Sequence, residues 1–71
     1  MKNKMKFKVN EIIDNSAGKN NPERGIIIGI DKKNKKYKIE SLDRYNKITE
    51  SFEVYYQYEH DLKNAYVLAV I

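Results

Sequence analysis

Five lysines lie within one short polar segment, and their type and spacing suit them to binding an anion. They are Lys32, Lys33, Lys35, Lys36 and Lys38, within the segment DKKNKKYK. Flexible ammonium groups suit phosphate oxygens, and each phosphate that a lysine neutralises adds salt-dependent affinity through counterion release. The cluster therefore predicts a site for an anionic ligand, and we expect nucleic acid or a nucleotide as the partner.

Other groups are expected to support this site. Arg24 and the lysines at positions 4, 6 and 8 add positive charge, so that residues 1–38 carry +7 and residues 39–71 carry −3. A positive field of this kind raises the local concentration of anions. Tyr55 is expected to be exposed, where it would stack on a base or anchor a protein partner. The alternative is a solvated lysine-rich surface whose edge lysines prevent aggregation.

The chain contains few side chains of the types that catalysis or metal binding requires. It has one histidine, His60, and no cysteine, whereas nucleophile–base pairs and metal sites need several convergent groups. The carboxylates at positions 50, 53, 59 and 61 lack the spacing of a calcium loop. We therefore predict a protein that is not an enzyme and that needs no metal and no cofactor.

Length and composition predict the class of protein. With 71 residues the chain is expected to form one domain, 1–71, and without cysteine it has no disulfide to supplement its core. No apolar run approaches the roughly 20 residues of a membrane span, and no secretory signal follows the basic N-terminus. These features predict a cytoplasmic protein without membrane contact.

The strands that must position the lysines are predicted from alternation of apolar and polar residues. A first strand is expected from Lys4 to Val9, continuing to Ile13, and a long polar loop at 14–24 follows it. The second strand covers Gly25 to Ile30, where Gly29 predicts a bulge. Residues 31–36 then form a polar hairpin that presents the lysines.

The second half of the chain continues the same pattern. Tyr37, Ile39 and Ser41 alternate on a third strand, residues 43–47 form a polar link, and Phe52 begins a fourth strand. Residues 59–64 suit one tight 3-10 turn with Leu62 as an apolar plug, and Ala65–Ile71 is the last strand. The fourth strand is expected to point Phe52, Val54, Tyr56 and Tyr58 into the core and Tyr55 outward.

Five short strands without helical periodicity predict an all-β fold, a five-stranded, partly open SH3-like small barrel with a 3-10 turn before its last strand. An OB-type barrel is the nearest alternative. The residues expected to be largely buried are Phe7, Val9, Ile27, Ile30, Ile39, Phe52, Val54, Leu62 and Leu68.

Residues 25–40, GIIIGIDKKNKKYKIE, resemble the KOW motif of ribosomal and transcription-elongation proteins. A glycine opens a strand, apolar residues follow two and five places later, an acidic residue begins a basic hairpin, and alternating apolar residues precede a glutamate. The matching positions are Gly25, Ile27, Ile30, Asp31, Tyr37, Ile39 and Glu40. The resemblance implies an SH3-like barrel.

A second function class is also consistent with the sequence. Small size and abundant tyrosine are typical of a protein-interaction module, for example a phage or mobile-element protein that inhibits a host defence factor. The apolar run Tyr66–Ile71 favours pairing of two copies into a homodimer at an edge strand. Salt distinguishes the two classes, because phosphate binding weakens steeply with salt and a tyrosine-anchored interface does not.

Overall fold

The computed structural model describes residues 5–71, and these form one antiparallel sheet. Its elements are β1 (Glu11–Asp14), β2 (Arg24–Asp31), β3 (Lys36–Asn46), β4 (Ser51–Tyr58), a 3-10 turn (Glu59–Leu62) and β5 (Tyr66–Val70). The strand order is β4-β3-β2-β1-β5, and the sheet is not closed. The all-β class, the five strands and the 3-10 turn before the last strand are confirmed.

The first predicted strand is wrong over most of its length. β1 begins only at Glu11, because Val9 and Asn10 form a turn in which Asn10 adopts a left-handed φ of 77° that asparagine tolerates. Phe7 is nevertheless buried, whereas Val9 is exposed. Lys4, assigned to the same strand, lies outside the described residues.

Hydrogen bonds, not strand pairing, dock the segment that precedes β1. The Phe7 amide donates to the Tyr37 hydroxyl (3.0 Å), and the Lys6 amide donates to Glu59 Oε2 (3.1 Å). The Asn10 amide donates to the Ile27 carbonyl (2.8 Å). These bonds hold the Phe7 ring over the core, where it meets the Tyr37 ring edge to face at 5.7 Å.

The bulge predicted in β2 is confirmed. The pairing of β2 with β3 shifts register between Ile27 and Gly29, so that Ile28 is the extra residue. The shift buries Ile27 completely and leaves Ile30 partly buried against the core, although the two are three positions apart. A β-bulge kinks the strand and increases its twist, which lets two such positions share one face.

The faces of β4 are the reverse of those predicted. Buried Ile39 on β3 pairs with Tyr55, and buried Tyr37 pairs with Gln57. Residues directly opposite one another in a sheet share a face, so Tyr55 and Gln57 lie on the core side. The apolar set expected inside is exposed instead: Phe52, Val54, Tyr56 and Tyr58. β3 is also longer than predicted and includes most of the expected 43–47 link.

The buried apolar core is small. Its members are Phe7, Ile13, Ile27, Tyr37, Ile39, Leu62 and Ala65, with Met5, Ile30 and Tyr55 packed against them. Of the predicted core, Phe7, Ile27, Ile39 and Leu62 are confirmed. Val9, Phe52, Val54 and Leu68 are exposed, and Ile30 is only partly buried.

β5 is an edge strand whose residues are all exposed. Within the part of the chain that the structure describes, it pairs only with β1, with a register shift opposite Ile12 and Ile13, and the bulged residue is Leu68. Both faces of β5 carry apolar side chains, and its five residues include no charged group. The burial predicted for Leu68 is absent because no second layer covers this edge among the described residues. Within residues 5–71, no helix has the length and apolar character that crossing a membrane requires.

Candidate functional site: a basic and aromatic face

The lysine-bearing turn between β2 and β3 is braced by one carboxylate. Asp31 Oδ1 accepts from the Asn34 amide (3.2 Å), and Asp31 Oδ2 accepts from the Asn34 side chain (2.9 Å). The Asn34 bonds hold the pKa of Asp31 below its usual range. Lys35 closes the turn with a left-handed φ of 54°, and its carbonyl accepts from the Glu59 amide (2.7 Å). The turn is therefore fixed to the 3-10 turn.

The five lysines predicted to bind the ligand lie in this turn and at the start of β3. Lys32, Lys33, Lys35 and Lys38 are exposed and Lys36 is partly buried. Lys36 and Lys38 flank buried Tyr37 on β3, so strand alternation places both on the outer face of the sheet. Among the described residues, none of the five forms an ion pair. Their charge is available to a ligand.

Two exposed tyrosines share that outer face. Lys36 pairs with Tyr58 and Lys38 with Tyr56, so each ring lies across the strand pair from a lysine. The Lys36 ammonium lies 5.1 Å from the centroid of the Tyr56 ring. Beyond the end of β4, the His60 ring is parallel to the Tyr58 ring within 6°, with centroids 5.5 Å apart. We call these residues the basic–aromatic face: Lys32, Lys33, Lys35, Lys36, Lys38, Tyr56, Tyr58 and His60.

Sequence reasoning missed the aromatic members of this face. Tyr56 and Tyr58 were expected in the core because the alternating set from Phe52 to Tyr58 is the more apolar one. The signal that identifies them is cross-strand register. Once Tyr37 and Ile39 are inside, the partners of Lys36 and Lys38 must be outside.

Tyr55, predicted as an exposed ligand-binding aromatic, lies elsewhere. Its ring packs against the core, and burial raises the pKa of its hydroxyl. Its hydroxyl lies near Gly25, whose missing Cβ leaves room for the neighbouring Ile39 side chain. The Arg44 guanidinium covers the ring at 5.7 Å from its centroid. The structure does not bring Tyr55 onto the face that carries the lysines.

Arg24 is also separated from the hairpin. It begins β2 and the lysines follow the end of β2, so about 23 Å of strand lies between them. Its guanidinium pairs with Asp43 at 2.6 Å, and the bond to Asp43 raises its pKa. Nearby, Lys19 pairs with Glu23, and Arg44 with the same carboxylate. Cations at this end of the sheet are therefore neutralised by acidic partners.

Lys6 and Lys8, which were expected to add charge to the site from the first strand, do not lie on a strand. The Lys6 ammonium donates to the carbonyls of Lys63 (3.1 Å) and Ala65 (2.9 Å), so it caps the chain after the 3-10 turn. Lys8 is exposed, and its amide donates to Glu11 Oε1 (2.9 Å). Lys6 thus has a structural task, and the predicted support from these residues depends on a strand that is not formed.

Two open hollows border the basic–aromatic face. One, of about 400 Å³, is lined by Gly29, Ile30, Asp31, Lys36, Lys38 and Tyr56. The other, of about 650 Å³, lies between the turn lysines and the Tyr58–His60 stack. A larger hollow of about 710 Å³ lies at the far end, beside the paired Glu23 and Arg44. Of these three hollows, the first two combine unpaired lysines with exposed rings.

No protein-family model, no curated protein and no solved structure matches the chain.

Proposed function

We propose that this protein is a non-catalytic binding protein that contacts nucleic acid through the basic–aromatic face. The observation that carries the proposal is that Lys36 and Lys38 share the outer face of the sheet with exposed Tyr56 and Tyr58, at the end where the turn exposes three more lysines. Among residues 5–71 none of these five lysines forms an ion pair. Lysines supply the phosphate contacts and aromatic rings supply a surface for bases. The resemblance of residues 25–40 to the KOW motif adds support, because the lysine-bearing turn lies inside that segment.

The proposal can be tested by replacing lysines of the turn between β2 and β3. Replacing Lys32, Lys33, Lys35 and Lys36 together with serine should weaken oligonucleotide binding roughly tenfold or more at low salt. The slope of log K against log salt should become shallower. The change should be about 0.7 on a single strand, and about 0.9 on a duplex, for each phosphate that the variant no longer neutralises. Fluorescence anisotropy of labelled oligonucleotides at several salt concentrations measures both the affinity and the slope.

A control of equal charge comes from four other exposed lysines. Serine at Lys8, Lys19, Lys47 and Lys63 removes the same four charges and takes the net charge from +4 to 0, as the first variant does. This control should keep most of the affinity, because none of its four lysines belongs to the basic–aromatic face. Equal losses of affinity in both variants would show that net charge alone attracts the ligand. Absence of any binding by the parent protein at low salt would refute the function.

The exposed apolar strand β5 favours a second candidate function, a protein-interaction module. Monomeric proteins rarely leave an edge strand apolar on both faces, because such an edge pairs readily with another chain. The partner that pairs with β5 would be a second copy of this chain, or a host factor if the protein is a phage or mobile-element inhibitor. Complex formation that withstands nuclease treatment and high salt would favour this function over nucleic-acid binding.

A further inference from the structure

We propose that Tyr56 and Tyr58 form a stacking platform for unpaired bases, so that the ligand of the basic–aromatic face is single-stranded nucleic acid. This inference rests on the proposed function and specifies its ligand. Tyr56 is 58% exposed and Tyr58 is 47% exposed, although both lie within a strand rather than in a loop. Large rings held on a regular strand present a fixed apolar surface to solvent.

The spacing of the two rings suits consecutive unstacked bases. Alternate residues of a strand point to the same side and lie roughly 6.6 Å apart along it. His60 extends the row past the end of β4, because its ring stacks in parallel on Tyr58 and its side chain is 80% exposed. The stack aligns the planes of the two rings to within 6°. A base that lands there meets a surface already oriented for it.

The phosphates of the bound nucleic acid are expected to lie along β3 and its bases along β4. Lys38 and Lys36 lie on β3 directly across from Tyr56 and Tyr58, so a backbone that follows the lysines places its bases over β4. The Lys36 ammonium lies near the Tyr56 ring and must move aside when a base stacks there. A lysine ammonium on its flexible stem makes that movement easily and turns toward a phosphate.

A duplex uses this surface poorly. Its base faces are already covered by neighbouring base pairs, so the rings contribute only if the duplex is unstacked. Single strands expose these faces, and stacking on aromatic side chains tolerates any base sequence. We therefore expect preference for strand type with weak preference for sequence.

The test compares three anionic probes on the full chain by fluorescence anisotropy. The probes are an oligothymidine, a duplex of the same length, and heparin, which carries charge without bases. The parent should bind the single strand roughly tenfold or more tightly than the duplex. The double variant Tyr56→Val with Tyr58→Val should lose most single-strand affinity, by roughly tenfold or more for each ring, and should keep its affinity for heparin.

Two further variants separate stacking from folding. Tyr45→Val with Tyr66→Val removes two other exposed rings and should leave single-strand binding unchanged. Tyr56→Phe with Tyr58→Phe retains both rings and should bind like the parent, which tests the proposal even if the valine variant does not fold. Loss of binding in this phenylalanine variant would overturn the stacking proposal.

The outcomes that contradict the two proposals differ from one another. Equal binding of single strand and duplex, unaffected by the valine variant, would overturn the stacking platform and leave nucleic-acid binding through the lysines intact. If the parent bound neither the oligothymidine nor the duplex at low salt, the proposed function would be refuted, and the platform with it.

Discussion

Replacing Phe7 with alanine is expected to destabilise the protein by about 3–5 kcal/mol. The side chain is 2% exposed and contributes its ring to the core beside Tyr37, although it belongs to no strand. A domain of this size buries little apolar surface, so that loss is comparable with its whole stability. Chemical denaturation followed by circular dichroism should show a variant that is largely unfolded without denaturant.

Phe52 provides the matched control, because it is the only other phenylalanine in the chain. It is 38% exposed on β4 and meets the Tyr45 ring edge to face at 5.1 Å. Phe52→Ala should therefore cost only about 1–2 kcal/mol, from the aromatic pair and partial burial. If Phe52→Ala proved as damaging as Phe7→Ala, the assignment of faces on β4 would be wrong.

Tyr37→Phe should destabilise the protein by about 1–3 kcal/mol, since it leaves a buried polar group unpaired. The Tyr37 hydroxyl accepts from the Phe7 amide (3.0 Å) and donates to Glu59 Oε1. The same carboxylate accepts from the Lys6 amide through its other oxygen. The hydroxyl therefore joins β3, the N-terminal segment and the 3-10 turn at one point.

This hydroxyl also predicts a pH dependence of the free energy of unfolding. Burial, together with the bond to Glu59, raises the pKa of Tyr37 to about 12. In the unfolded chain a tyrosine loses its proton at about pH 10, so between these values the folded state binds more protons. Stability should therefore fall as pH rises from about 10 to about 12, and Tyr37→Phe should lack this component.

Denaturant titrations of both proteins between pH 8 and pH 12 measure the difference. Tyr56→Phe is the control, because its ring is exposed and it should follow the parent throughout. An identical loss of stability in the parent and in Tyr37→Phe would contradict the role assigned to the buried hydroxyl.

The sequence predicts those features of the fold that residues close together in the chain determine. It does not predict the features that depend on which strands pair and in which register. The β2 bulge and the lysine turn follow from local signals, namely Gly29 within an isoleucine run and polar residues between two strands. The burial of Tyr37, Ile39 and Leu62 follows from alternation and from the short link before β5. Each of these features depends on residues that are close in sequence.

The errors concern choices that neighbours along the chain do not determine. Alternation divides β4 into two faces, but the pairing of Ile39 with Tyr55 decides which face is inside. Asn10 ends the apparent first strand through its backbone conformation, which a hydrophobic pattern does not record. Tyr56 and Tyr58 were not predicted for the candidate site because strand pairing decides which face of β4 is outside. The turn lysines were predicted because a polar turn is exposed whichever face of β4 is buried.

The pairing of β1 with β5 places the last strand beside the first, at one edge of the open sheet. Read as β5-β1-β2-β3-β4, the sheet is a meander of four consecutive strands whose first member also takes the fifth as its neighbour. The Ile71 amide donates to the Asn10 carbonyl at 2.9 Å, so this neighbourhood extends past the end of β5. Asp14 and its partner Tyr66 are 52 positions apart in the chain. Pairing β5 with β1 therefore closes a long loop, at a larger entropy cost than any hairpin of the meander.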